Sequence, residues 1–239
     1  MKYSALVPVK ALAQAKSRLK DQLSPYQRER LVLDMLEHVV HTLCDSELFE
    51  QVYVVSADLR VLEMVQHWDA EPLRETQQGH NPALQAAALT ILERAAWREG
   101  DFESWAKVRE HGYLPDRPGE NPIRLLSNEG LLTISADLPL LSHQDIQALL
   151  RASETYQVVL AGASDGTGTN ALLTRPPLAL PYLFGPNSLP AYISAARRQG
   201  LSYTRYYSPE LALDIDTFAD LQKLEQTSRA WTPLASFAM

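Results

Sequence analysis

Cysteine is nearly absent: Cys44 is the single one in 239 residues. That excludes an internal disulfide and a multi-cysteine metal site. Cys44 falls on an apolar helical stripe, which points to a buried, inert thiol, and a reducing cytoplasm is the expected location. No run of 18 apolar residues occurs, so a transmembrane helix is excluded. The apolar stretch near Met1 is too short and too soon interrupted for a signal peptide. Positive charge is also in deficit, with 22 Lys+Arg against 29 Asp+Glu and a net charge of −7. No global basic field exists to hold nucleic acid, and nothing suggests a membrane partner. The sequence does not have the G-x-x-x-x-G-K-[ST] of a P-loop. Its histidines are scattered: His38 and His41 beside one apolar helical stripe, His67 near a helix end, and His80, His111 and His143 in or near loops. They suggest no base or metal cluster.

What is present is an alternation of strands and helices. Tyr3–Val9 reads as a strand followed by a Lys-rich loop. A helix starts at Pro25, with Ser24 as its cap and Gln27 completing a capping box. Leu31, Met35, Leu36, Val39, Val40 and Leu43 recur at helical spacing and give it one core face. Gln51–Ser56 reads as a strand, Leu59–Trp68 and Ala83–Trp97 as helices, and Leu131–Ser135 as a strand ending in Ala136-Asp137-Leu138-Pro139. Ser142 caps the next helix, with Asp145 three residues on. Gln157–Ala161 and Ala171–Thr174 are expected as strands around the small-residue loop Gly162–Asn170. Asn187–Gln199 is a helix ended by Gly200. Ser202–Tyr207 and Leu211–Ile215 read as strands, and Thr217 opens a final helix. This order predicts an α/β fold: a mainly parallel sheet flanked by helices. The length suits one domain over 1–239. Residues 98–128, polar and rich in glycine and proline, read as a surface excursion with a helical portion near 102–111, serving as a lid or a partner contact.

Three carboxylates are expected at the carboxyl ends of strands, where open α/β sheets bind ligands: Asp137, Asp214 and Asp216. Asp214 and Asp216, two apart on an extended segment, would leave the same face roughly 7 Å apart. Asp216-Thr217 alone would be read as a helix cap. With Asp137 added, a hard divalent cation such as Mg²⁺ is the better reading. Residues 1–20 hold Lys2, Lys10, Lys16, Arg18 and Lys20 and no acid, so the loop after the first strand can wrap a triphosphate. Gly162–Asn170 and Phe184–Ser188 offer backbone donors and, at Ser188, a helix start suited to phosphate or carboxylate. Either loop alone is as readily an ordinary turn.

The motifs VPVK-ALAQAKSRL at 7–19, SADLPLL at 135–141, GTGTNALL at 166–173, FGPNS at 184–188 and LDIDTFADL at 213–221, in this order, resemble the CofC/FbiD family, the guanylyltransferases of coenzyme F420 biosynthesis. The resemblance implies a Rossmann-like nucleotidyltransferase fold of the GT-A type. It also implies transfer of GMP from GTP to 2-phospho-L-lactate, phosphoenolpyruvate or 3-phospho-D-glycerate, releasing pyrophosphate. Carried over by motif, it implies that Asp137, Asp214 and Asp216 hold Mg²⁺ and that Lys16 neutralises substrate charge. Lys10 and Arg18 then help around the triphosphate, and Thr169, Gly185 and Ser188 bind the acid. Ser56, Gly79 and Asn81 fall on the nucleotide side, and a homodimer is consistent with the family.

Three features depart from the family pattern: the length of 98–128, Pro82 after Gly79-His80-Asn81, and Asn187 in place of a glycine. The competing readings are a molybdenum-cofactor type nucleotidyltransferase, a GT-A glycosyltransferase using Asp214-x-Asp216, and a non-catalytic nucleotide-binding descendant. A first loop lacking L-x-x-G-x-S-x-R-M disfavours the first. The late position of the Asp pair disfavours the second, and three retained carboxylates disfavour the third.

Overall fold

A computed structural model of the chain describes residues 1–100 and 129–227. The strands are β1 (Lys2–Val9), β2 (Gln51–Ser56), β3 (Glu71–Arg74), β4 (Glu129–Ile134), β5 (Val158–Gly162), β6 (Thr169–Thr174) and β7 (Tyr203–Tyr206). They form one sheet in the order β3-β2-β1-β4-β6-β5-β7. Every neighbouring pair is parallel except β4–β6 and β5–β6, so β6 alone runs backwards. The helices are α1 (Pro25–Asp45), α2 (Leu59–Val65), α3 (His80–Glu99), α4 (His143–Thr155), α5 (Ser188–Arg198), α6 (Pro209–Ala212) and α7 (Phe218–Thr227). No described helix is long and apolar enough to cross a membrane.

The pleat distributes the core over both faces. In β1, Ala5 and Val7 join the apolar stripes of α1, α2, α4 and α7. Leu6, between them, points to the opposite face and packs with α3 and α5. The capping boxes at Ser24/Gln27 and Ser142/Asp145 are both formed. Helix α5 ends in a Schellman motif: Gly200 N–H donates to Arg197 and Leu201 N–H to Ala196, with Gly200 at φ 65°.

One close approach in the sheet can be tested. Gly130 stands opposite Tyr3 in the β1–β4 ladder, and a β-carbon there would lie 2.6 Å from the Tyr3 ring. The ring is held by its hydroxyl, 2.8 Å from Ser153 Oγ, so it cannot swing aside cheaply. Gly130→Ala is expected to cost about 1–3 kcal/mol in urea denaturation. A loss below about 0.5 kcal/mol, the range of an ordinary surface change, would contradict this packing.

Several expectations need correction. Leu211–Ile215 is not a strand: Ser208 caps α6 by accepting from Leu211 N–H, with Pro209 at the first helical position. β3 escapes the sequence pattern because Glu-Pro-Leu-Arg buries only Leu73, and its proline suits the sheet edge it occupies. The second helix stops at Val65 rather than Trp68. The third begins at His80, because Pro82 falls in its first turn, where no intrahelical donor is needed. Thr169 and Asn170 belong to β6 and not to the preceding loop. Of the expected excursion, residues 98–99 complete α3 and Gly100 caps it in left-handed geometry. The remainder lies outside the described residues, as does the expected helical portion near 102–111.

Candidate active site

The strand order places the site. From β1 the chain steps one way to β2 and β3, then crosses back to β4 on the other side of β1. That reversal opens a crevice at the carboxyl ends of β1 and β4. The loop after β1 carries Lys10, Lys16 and Arg18, and the loop after β4 carries Asp137. Because β6 is reversed, its first residues, Thr169 and Asn170, arrive at the same edge. Ser135 N–H donates to the Asn170 carbonyl at 2.8 Å, and Ile215 N–H to the Asp137 carbonyl at 3.2 Å. Those bonds lace segment 213–216 to the β4 exit.

Asp137, Asp214 and Asp216 converge there, with one oxygen from each lying within 4.8 Å of the others. None of the three sits on a strand. Asp137 lies beyond the end of β4, and the Asp pair follows α6 on a segment outside the helices and strands. They are closer than strand spacing predicts. Lys16 Nζ lies 2.6 Å from Asp137 Oδ2 and 3.1 Å from Asp216 Oδ1. Arg18 Nη1 stands 3.3 Å from Asp216 Oδ2.

Lys16 is 8% exposed at its side chain. Burial works against its charge, but the Asp137 and Asp216 carboxylates outweigh that and hold its pKa above the ordinary lysine value. Asp214 is pushed up to about 6, first by burial and then by the Asp137 charge, although Asn170 Nδ2 donates to it. A half-buried triad with one ammonium among three carboxylates is short of positive charge. Its all-oxygen donor set fits a hard divalent cation.

Lys16 itself is strained. Its backbone is left-handed, at φ 50° and ψ 42°, which costs a residue with a β-carbon roughly 1 kcal/mol. Contacts on either side hold the loop in place. Leu12 N–H donates to Asp58 Oδ2 at 3.0 Å, and Arg28 Nη1 reaches the Ala15 carbonyl at 3.4 Å. Ser56 is fully buried, and its hydroxyl accepts from Asp58 N–H. It therefore organises the acid that anchors this loop. Sequence reasoning missed Asp58 and Asn170. Asn170 lies within the quoted GTGTN motif, which was its only signal.

A second cluster lies beside the first. Ser188 Oγ donates to Thr169 Oγ1 at 3.0 Å, both buried, and Ser188 N–H donates to the Gly185 carbonyl at 3.2 Å. Gly185 at φ 135° and Asn187 at φ 57° turn the chain into α5. The loop before β6 has fewer free donors than its glycines suggested. Thr167 and Gly168 N–H both donate to Asp165 Oδ1, at 2.7 and 2.9 Å. A β-carbon at Gly168 would lie 3.1 Å from Ala163 Cβ, a tight contact that a larger residue would have to relieve.

At the start of α3, Gly79 sits at φ 95°. The Asn81 amide bonds to the Phe184 backbone, donating to its carbonyl at 3.0 Å and accepting from its N–H at 2.9 Å. The His80 ring meets Phe184 edge-on. Burial and the nearby Lys10 charge lower the His80 pKa. Lys10 makes no hydrogen bond among the described residues.

Sheet order, lysine-bearing first loop and carboxylate cluster together define the nucleotidyltransferase class. Comparison with known structures gives the same fold. A protein from Desulfovibrio desulfuricans described as a nucleotide-diphospho-sugar transferase superposes with a TM-score of 0.68 at 15% identity, over 97% of this chain and 90% of that one. The family described as "Guanylyl transferase CofC like" matches residues 3–96 and 123–226, and the chain belongs to it. The phosphoenolpyruvate guanylyltransferase of Rubrobacter xylanophilus is 37% identical over 94% of both chains. The 2-phospho-L-lactate guanylyltransferase of Methanothermobacter thermautotrophicus is 32% identical over 94% of this chain and 84% of its own. The 3-phospho-D-glycerate guanylyltransferase of Colwellia psychrerythraea is 30% identical over 94% and 91%.

Proposed function

We propose that this chain, working as one nucleotidyltransferase domain, transfers GMP from GTP to a phosphorylated three-carbon acid in coenzyme F420 biosynthesis, in the cytoplasm. The acids are those of the relatives: phosphoenolpyruvate, 2-phospho-L-lactate or 3-phospho-D-glycerate. The observation that carries the reading is the Lys16 ammonium set between Asp137 and Asp216, beside Asp214, at the mouth of the β1–β4 crevice. Asp137, Asp214 and Asp216 would hold Mg²⁺, which supplies positive charge against the triphosphate when bound.

Lys16, with Lys10 and Arg18, steadies the negative charge of the two phosphate groups that must meet. Thr169, Gly185 and Ser188 hold the carboxylate and phosphate of the acid. Ser56 and Gly79 shape the nucleotide side, Ser56 through Asp58 and the first loop. An acceptor phosphate is already an anionic nucleophile, so no general base is needed. Its oxygen forms the new bond to the α-phosphorus of GTP as the bond to the β-phosphate oxygen breaks. Pyrophosphate leaves with that electron pair. The protein's contribution is position and electrostatics.

Pyrophosphate release tests this, using GTP and Mg²⁺ with each acid in turn and with ATP or CTP in place of GTP. Release is expected with GTP and at least one of the acids, phosphoenolpyruvate foremost. Release with CTP or ATP and none with GTP would sink the guanylyl assignment.

A further inference from the structure

We infer that Asn81 is a positioning residue for the acid-binding loop, acting through Phe184 rather than through the nucleotide base. This rests on the reading of Thr169, Gly185 and Ser188 as the acid site. The two hydrogen bonds between the Asn81 amide and the Phe184 backbone use the side chain's oxygen and one of its N–H groups. A paired donor–acceptor clamp of this kind fixes direction as well as distance. It grips the residue immediately before Gly185.

The rest of the loop is held as if to make that grip count. Leu183 N–H donates to the Tyr192 hydroxyl at 2.8 Å. The Phe184 ring packs edge-on against Tyr192 and stacks on Tyr182. Tyr182 is itself anchored by its hydroxyl, 2.7 Å from Thr133 Oγ1 on β4. Beyond Phe184 the described contacts of the chain are the Ser188 N–H bond back to the Gly185 carbonyl and the meeting of Ser188 with Thr169. Gly185 at φ 135° has open space where a β-carbon would be, so its conformation is set by its neighbours. The start of α3, on the nucleotide side of the crevice, is thus fastened directly to the loop that presents Gly185 and Ser188. A change on one side is transmitted to the other through the Asn81 amide, beside the His80–Phe184 ring contact.

The test uses the full chain with Asn81→Ala and Asn81→Asp. The aspartate keeps an acceptor for Phe184 N–H but loses the donor to its carbonyl. For Asn81→Ala, the KM for the acid is expected to rise about tenfold or more, as loss of a partly buried hydrogen-bond pair implies. The GTP dissociation constant should change less than about twofold, and Asn81→Asp should fall between the two. Backbone hydrogen exchange of the ligand-free protein gives a readout independent of activity: the Phe184 amide should lose protection by about tenfold or more in Asn81→Ala. Weakened GTP binding with an unchanged acid KM would overturn the inference, as would unchanged protection at Phe184. If wild-type protein turns over none of the acids, the functional reading fails by itself. The exchange measurement still decides whether Asn81 holds the loop.

Discussion

Asp216→Asn is expected to lower turnover by at least a thousandfold while leaving the protein folded. Asparagine keeps the size of the side chain and removes one negative charge from a cluster whose oxygens lie within 4.8 Å of one another. With Asp137 and Asp214 it would hold a divalent cation against the developing phosphate charge; losing such preorganised positive charge raises the barrier by several kcal/mol, about 1.4 kcal/mol for each tenfold. Structurally the change is mild. Asp216 is 47% exposed, and its ion pair with exposed Arg18 contributes little to stability. Its backbone N–H still donates to Asp220 Oδ2, which organises the turn into α7. Steady-state kinetics beside a thermal melt separates the two effects. Turnover within tenfold of wild type would remove Asp216 from the catalytic cluster. A collapsed melt would make the residue a structural one.

Lys16→Met should cost on the order of a hundred- to a thousandfold in kcat/KM with GTP. Methionine preserves the buried aliphatic volume but leaves Asp137 and Asp216 without the ammonium between them. Two like charges then face each other in a partly buried place. The variant is therefore expected to melt below wild type in chelator, and added Mg²⁺ should raise its melting temperature more than it raises that of wild type. Equal Mg²⁺ responses in the two proteins would mean that the ammonium and the cation do not share these carboxylates. The left-handed backbone of Lys16 adds a point: a residue kept in a strained conformation by Asp58 and Arg28 is held for the position of its side chain.

How much of this was legible beforehand depended on how local the signals were. The capping boxes at Ser24 and Ser142 were readable because both partners lie within one turn. Strand β2 was readable to the residue because Gln51–Ser56 is a compact, β-branched run. The run from Leu211 to Ile215 misled for the same reason: its apolar residues mimic a strand, while Ser208-Pro209 two positions earlier directs a helical turn. Thr169 could not be assigned to the strand because it pairs with Gly162 of β5 beyond a register shift, which no local pattern signals. The reversal of β6 is what brings Asn170 to Asp214, a contact no sequence spacing encodes. The glycines of 162–168 promised free N–H groups, but Asp165 takes two of them for the turn itself. For the candidate site, the motifs gave Lys16 and the three aspartates together. The anchoring acid Asp58 and the Asn81 clamp depend on tertiary geometry alone.

The central claim is that GMP becomes joined to the acid through a new phosphorus–oxygen–phosphorus link. Phosphorus NMR of a reaction containing GTP, Mg²⁺, phosphoenolpyruvate and inorganic pyrophosphatase observes that link directly, the pyrophosphatase drawing the transfer forward. The account predicts a pair of mutually coupled diphosphate resonances growing as GTP and the phosphoenolpyruvate signal decline together, with 2-phospho-L-lactate and 3-phospho-D-glycerate run in parallel. GTP consumed to GMP or GDP with all three acids left intact would contradict it.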